Sequence, residues 1–167
     1  MMFPDDKFSA AIEVLPLVSI DLCLVCDGAL LLGKRVNEPA KGYWFTPGGR
    51  IHKNEAFAEA LERIARTELG LADVLSLKPA LMGVWDHLYS ESALSDSIST
   101  HYVNLPHSID LPLDSKGSVL QSALERSDGQ HSAWCWMPLA EVVEHPDVHE
   151  YVRAYAQFLL ERRLSTF

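Results

Sequence analysis

Two apolar, β-prone runs, Pro16 to Cys26 and Ala29 to Val36, are separated by nothing but Asp27-Gly28. An Asp-Gly pair tolerates the positive backbone angles of a two-residue turn, so the runs are expected to lie side by side as an antiparallel hairpin. Gly42 to Thr46 reads as a short strand that leads into Pro47-Gly48-Gly49. Glu55 to Leu69 reads as a helix, with Asn54 as its N-cap and Gly70 as its stop. Further strands are expected at Leu81–Tyr89, His101–Leu105 and Ala133–Met137. A second helix is expected at Val148–Leu164, with Val148, Tyr151, Val152, Tyr155, Phe158 and Leu159 on one face. The Ser-rich stretch Ser90–Thr100 reads as a surface loop. Strands, helix, strands, helix in this order predict an α/β (α+β) fold, layered α/β/α about a mixed sheet.

At 167 residues and 48% apolar, the chain suits a single domain spanning 1–167 with a real core, and excludes disorder as its main state. The formal net charge of −9 argues against nucleic acid or an anionic membrane as partner. An anionic ligand must then be held by a few local arginines or by a metal. No apolar run approaches the ~20 residues that span a bilayer. Met1 to Phe8 carries no apolar signal core, so the expected location is cytoplasmic. Three cysteines make no disulfide framework, and Cys23 and Cys26 fall on opposite faces of their strand, which suits plain thiols better than a metal site. His145 and His149, at the start of the second helix, read as solvent-exposed.

The first helix carries an anomaly. Its apolar stripe runs Phe57, Leu61, Ile64, and the next position at that spacing is Glu68. A carboxylate thus continues the buried face in the last turn, where the helix dipole already leaves partial negative charge. Either Glu68 rotates out to solvent, or a cation or strong donors lie beside it. Glu59–Arg63 and Glu62–Arg66 are expected i,i+4 pairs. The turn at Gly48-Gly49 lets backbone approach a ligand closely. A carbonyl from that turn and the Glu68 carboxylate are hard oxygen donors suited to a magnesium-type ion on a diphosphate. Arg50 and Arg63 could reach phosphate oxygens.

Gly49, five residues to Glu55, seven to Arg63, then Glu68-Leu69-Gly70-Leu71 resembles the Nudix box. Ile64 and Thr67 stand where the usual pattern has glutamates. The same two replacements mark the GDP-mannose mannosyl hydrolases, and that branch is also resembled at Pro16–Asp21, Leu31–Arg35, Gly42–Phe45, Gly83–His87, Thr100–Val103 and Gln130-His131. The resemblance covers roughly residues 8–155.

It implies a Nudix α/β/α sandwich that binds one divalent ion, Mg2+ with Mn2+ as a substitute, on the diphosphate of a GDP-sugar. Water would attack the anomeric carbon with inversion and expel GDP. By matching position the metal ligands would be the Gly48 carbonyl, Glu68 and Gln130, and His131 would be the general base. Asp21, Arg35 and His87 would join it in catalysis, and Arg50, Arg63 and Tyr102 would bind substrate. The resemblance also implies a homodimer. Taken singly, these residues have plainer readings: Asp21 as one half of a structural pair, Arg35 as a surface charge, His87 and Tyr102 as packing, Gln130-His131 as turn residues. Two other functions stay open. One is a pyrophosphohydrolase that cuts the P–O–P bond of a nucleotide sugar or nucleotide, and the other is a non-catalytic nucleotide-sensing module.

Overall fold

The computed structural model describes residues 5–94, 97–126 and 129–164. The hairpin is present: β1 (Leu17–Cys26) and β2 (Ala29–Arg35) pair antiparallel through Cys26 and Ala29. Asp27 and Gly28 both take positive φ, 51° and 71°, the twist that joins two right-twisted strands without splaying them.

β1 is also bonded along its other edge, in parallel, to β7 (Thr100–Asp110), and this pairing makes the sheet mixed. β2 carries β3 (Trp44–Phe45) and β8 (His131–Pro138). β4 (Gly48–Arg50) pairs with the start of β1, and β5 (Ala80–Leu81) and β6 (Trp85–Tyr89) share the outer edge of β7.

Alternation along β1 sorts its side chains to two layers. Ile20, Leu22 and Leu24 pack with α2 (Phe57–Leu69) and α3 (Lys116–Glu125) through Leu61, Ile64, Leu69 and Val119. Cys23 and Val25 face α4 (Leu139–Glu144) and α5 (Glu150–Leu164) through Leu139, Val142, Val152 and Tyr155. The architecture is the expected α/β/α layering, with Asp21 on the α5 side of the sheet by parity with Cys23.

Several expectations are corrected. The strand predicted over Leu81–Tyr89 is two strands, broken where Gly83 sits at φ 129°. The strand predicted to stop at Leu105 runs on through Pro106 to Asp110. Proline has no N–H to lose, its carbonyl accepts Met82 N at 2.9 Å, and the break in the edge strand falls beside it. Helix α2 begins at Phe57 instead of Glu55: Asn54 lies in the preceding turn at φ 66°, and the Glu59 carboxylate receives the Ala56 N–H at 2.9 Å. Gly70 ends it as expected, left-handed at φ 68°. Phe57 is not part of the buried stripe but 42% exposed, resting on the His107 ring. Three further helices went unanticipated: α1 (Asp5–Val14), α3 and α4. Of the stretch Ser90–Thr100, residues 95 and 96 lie outside those described.

Leu61 is buried to 2% beneath the sheet, so Leu61→Ala is expected to lower unfolding free energy by about 2–5 kcal/mol. Phe57→Ala should cost less than half as much, a difference that urea titration resolves.

Candidate active site

A cavity of about 400 Å³ opens beside the junction of β1 and β4. β4 reaches it because Gly48 lies directly opposite Asp21 in the ladder. A Cβ on Gly48 would fall 2.4 Å from Asp21 Oδ1 and 2.6 Å from the Ile20 carbonyl, so the close approach of the two strands requires glycine here.

One wall of the cavity is polar yet buried. Asp21, His87, Asn104 and Ser19 line it, all 7% exposed or less. Behind them the Tyr155 hydroxyl, carried by α5, donates to Asp21 Oδ2 at 2.8 Å and lies 2.9 Å from His87 Nε2 and 2.8 Å from the Asn104 amide oxygen. Asn104 in turn donates to Ser19 Oγ at 2.8 Å. The His87 ring is stacked on Tyr151, centroids 4.0 Å apart and planes within 1°. Burial pushes the Asp21 carboxyl up to about 6, against the opposing pull of Tyr155, Asn104 and the Arg35 charge. Burial, with the charge of nearby His149, pushes His87 down to about 3, so its imidazole is neutral at pH 7.

Another part of the lining carries charged side chains. Arg63 does not pair with Glu59. Its Nε and Nη2 grip Glu55 at 2.5 and 2.9 Å, and Nη2 also donates to the Arg50 carbonyl at 2.7 Å. Glu55 takes a further bond from His52 N at 2.9 Å, and the Arg63 hydrogen bond holds its carboxyl down at about 2. Arg63 thus ties α2 to the glycine turn while still facing the cavity. Arg50 is half-buried under the Phe8 ring, 4.0 Å from ring centre to guanidinium carbon. Arg35 reaches the cavity from the end of β2, and its Nε donates to the Pro39 carbonyl at 2.8 Å.

Glu68 is half-buried and turned to the cavity, as are Gly48 and Gln130. Among the described residues no cluster of three His, Cys, Asp or Glu forms a metal cage. One carboxylate, one backbone carbonyl and one amide are nevertheless a hard-oxygen set that fits a single magnesium-type ion, which usually takes one or two protein carboxylates and completes its shell with water and substrate phosphate.

Of the ten residues singled out in the sequence, nine line this one cavity: Asp21, Arg35, Gly48, Arg50, Arg63, Glu68, His87, Tyr102 and Gln130. His131 does not. It is 6% exposed, with its ring 4.5 Å from that of Trp134, and a Cβ on Gly33 would meet its Cδ2 at 2.6 Å. His149 is half-buried among Tyr43, Phe45, Tyr89 and Tyr151 instead of exposed. Sequence reasoning missed Asn104, Ser19, His52, Tyr89 and Phe45 in the lining. It placed Tyr155 on a packing face, where only the polar tip of an otherwise apolar stripe hinted at more.

The chain is thus a mixed-sheet α/β/α sandwich, with a glycine turn braced by arginine onto a helix whose last turn carries a cavity-lining glutamate. The NUDIX domain family model matches residues 16–158, and the chain belongs to the Nudix family, a family of hydrolases that generally use divalent metals. It is 37% identical over 158 residues to the low-salt glycan biosynthesis protein Agl8 of Haloferax volcanii, covering 93% of this chain and 90% of that one. A 70-residue stretch, 42% of this chain and 40% of the relative, is 36% identical to the ADP-ribose pyrophosphatase of Methanocaldococcus jannaschii. The fold is shared with the MutT Nudix hydrolase of Burkholderia pseudomallei, at TM-score 0.62 and 23% identity over 86% of this chain and 97% of that one.

The two shifted carboxylates give opposite pH slopes. Asp21 is raised on folding, so the metal-free protein should lose stability as pH rises from about 4 to about 6. Glu55 is depressed on folding, so its contribution is present above about 4.5 and disappears as pH falls toward 2. Urea unfolding across pH should show Asp21→Asn flattening the first slope and Glu55→Gln the second.

Proposed function

We propose that this Nudix hydrolase cleaves GDP-mannose, or GDP-glucose, to GDP and free sugar by attack of water at the anomeric carbon with inversion. The observation that carries this reading is the make-up of the cavity: buried polar groups, Asp21, His87 and Asn104, share its lining with Arg50, Arg63 and Glu68. Buried hydrogen-bonding groups suit the hydroxyls and ring oxygen of a sugar, while arginines and a metal site suit a diphosphate. Only Glu68 among the three oxygen donors is charged, and Ile64, where the usual box has a glutamate, is 1% exposed in the core. A set with one carboxylate favours one ion, held by Gly48, Glu68 and Gln130. When bound, that ion supplies neutralisation of the departing diphosphate. A diphosphate contacted by Arg50 and Arg63 would leave without a proton, so a single base on water would suffice. The name of the Haloferax relative, a glycan biosynthesis protein, supports sugar chemistry.

Arg35, Arg50, Arg63 and Tyr102 orient the substrate and receive the negative charge that develops on the leaving oxygen. His131 is the base in this reading. It adjoins the cavity through Gln130, and to act on water its ring must leave the Trp134 contact. His87 and Asp21, already on the wall, are the other groups able to take the proton. A second reading, cleavage of the P–O–P bond, is favoured by the 36% identity of the 70-residue stretch to an ADP-ribose pyrophosphatase.

Product analysis separates the two. With GDP-mannose and magnesium, the account expects GDP and free mannose; GMP and mannose phosphate would establish the second reading. Glu68→Gln should abolish most of this turnover with the fold intact. His131→Gln should lower kcat by roughly 10²–10⁴-fold and erase the acid limb of the pH–rate profile, with little change in affinity. Retention of both rate and acid limb would transfer the role to His87 or Asp21.

A further inference from the structure

Tyr155 belongs to the apolar layer under the sheet by every sign but one. It is fully buried, packs edge-on against Trp85 with centroids 5.0 Å apart, and lies on the sheet-facing side of α5. Its hydroxyl, however, sits among Asp21, His87 and Asn104 at 2.8, 2.9 and 2.8 Å. A phenol has one proton, for which Asp21 Oδ2 and the Asn104 amide oxygen both compete, while His87 Nε2, when protonated, can donate to its oxygen. These three residues line the cavity, whereas Tyr155 stands behind them and does not. One turn earlier on the same helix, Tyr151 stacks on the His87 ring, and its hydroxyl bonds the Leu88 N–H at 2.8 Å and the Leu88 carbonyl at 3.1 Å. Residues four apart on a helix share a face, so α5 offers both tyrosines to His87 at once.

We propose that Tyr155 is a positioning residue, holding the Asp21 carboxyl and the His87 imidazole as one rigid unit at the cavity wall. The inference rests on the assignment of that wall to the reacting end of the substrate. A group meant only to fill the core here would be phenylalanine, because a buried hydroxyl adds nothing to packing and needs partners. Asp21 and His87 come from different strands, β1 and β6, which do not pair with each other and are separated by β7. Tyr155, on a separate helix, is the atom-to-atom link between them. Fixed side-chain geometry matters most in the reaction's transition state, so the effect should fall on kcat and not on binding.

The test is Tyr155→Phe, which keeps the ring and removes only the hydroxyl. On the substrate that the parent turns over, kcat should fall about tenfold or more, with KM within about threefold and the melting midpoint within a few degrees. In an Asp21→Asn background the same change should cost less than about threefold, because the unit is already broken. A kcat within about twofold of the parent, or a full tenfold loss repeated in the Asp21→Asn background, would overturn the proposal. A second readout needs no turnover. In long-range ¹H–¹⁵N spectra, His87 should show one fixed tautomer in the parent and a mixture in Tyr155→Phe; identical His87 signals in both would also overturn it. If product analysis finds P–O–P cleavage, the GDP-sugar reading fails, while the same cycle run on that reaction still decides the role of Tyr155.

Discussion

The site depends on the pairing of three residues of β4 with β1: Ser19 with Arg50, Ile20 with Gly49, Asp21 with Gly48. That register puts a glycine where a Cβ would overlap Asp21, and so brings the turn, the carboxylate and the start of α2 to one place. Arg63 secures it from the helix side through Glu55 and the Arg50 carbonyl. The two Arg63–Glu55 hydrogen bonds are charge-assisted, join side chains only 33% and 14% exposed, and are worth about 1.5–3 kcal/mol each. An exposed i,i+4 pair such as Glu59–Arg63 would contribute only ~0.3–0.5 kcal/mol, so the longer-range partner wins.

Strand alternation decides where the buried carboxyl of the cavity lies. Ile20 and Leu22 go to the α2 layer, which leaves Asp21 among the buried groups of the α5 layer, with its carboxyl raised to about 6. His87, at the centre of β6, is driven the other way and stays neutral. Arg50, Arg63 and Glu68 line the same cavity. Buried polar groups and arginine side chains thus share one cavity of about 400 Å³.

Much of this was legible in the chain. Asp27-Gly28 and Gly70 announced a hairpin and a helix end because only particular backbone angles fit there, and such signals are local. The spacing of Gly49, Glu55, Arg63 and Glu68 gathered the charged part of the lining for the same reason. What stayed hidden was set by partners distant in sequence. Strand β7 continues through Pro106 because β1 lies along its length, and no window around Pro106 contains β1. Helices α3 and α4 are short, with only two buried residues each, too few for a periodic signal. His131 is adjacent in sequence to a cavity residue but lies under Gly33, and Tyr155 is 134 residues from the carboxyl it binds.

The central claim is that the cavity directs water to carbon and not to phosphorus. Formation of GDP alone leaves that open, since attack at the outer phosphorus also releases GDP and free sugar. Turnover of GDP-mannose with magnesium in ¹⁸O-water locates the bond that breaks. The account predicts ¹⁸O at the anomeric oxygen of the released mannose and unlabelled GDP; ¹⁸O in the GDP phosphate with unlabelled mannose would contradict it.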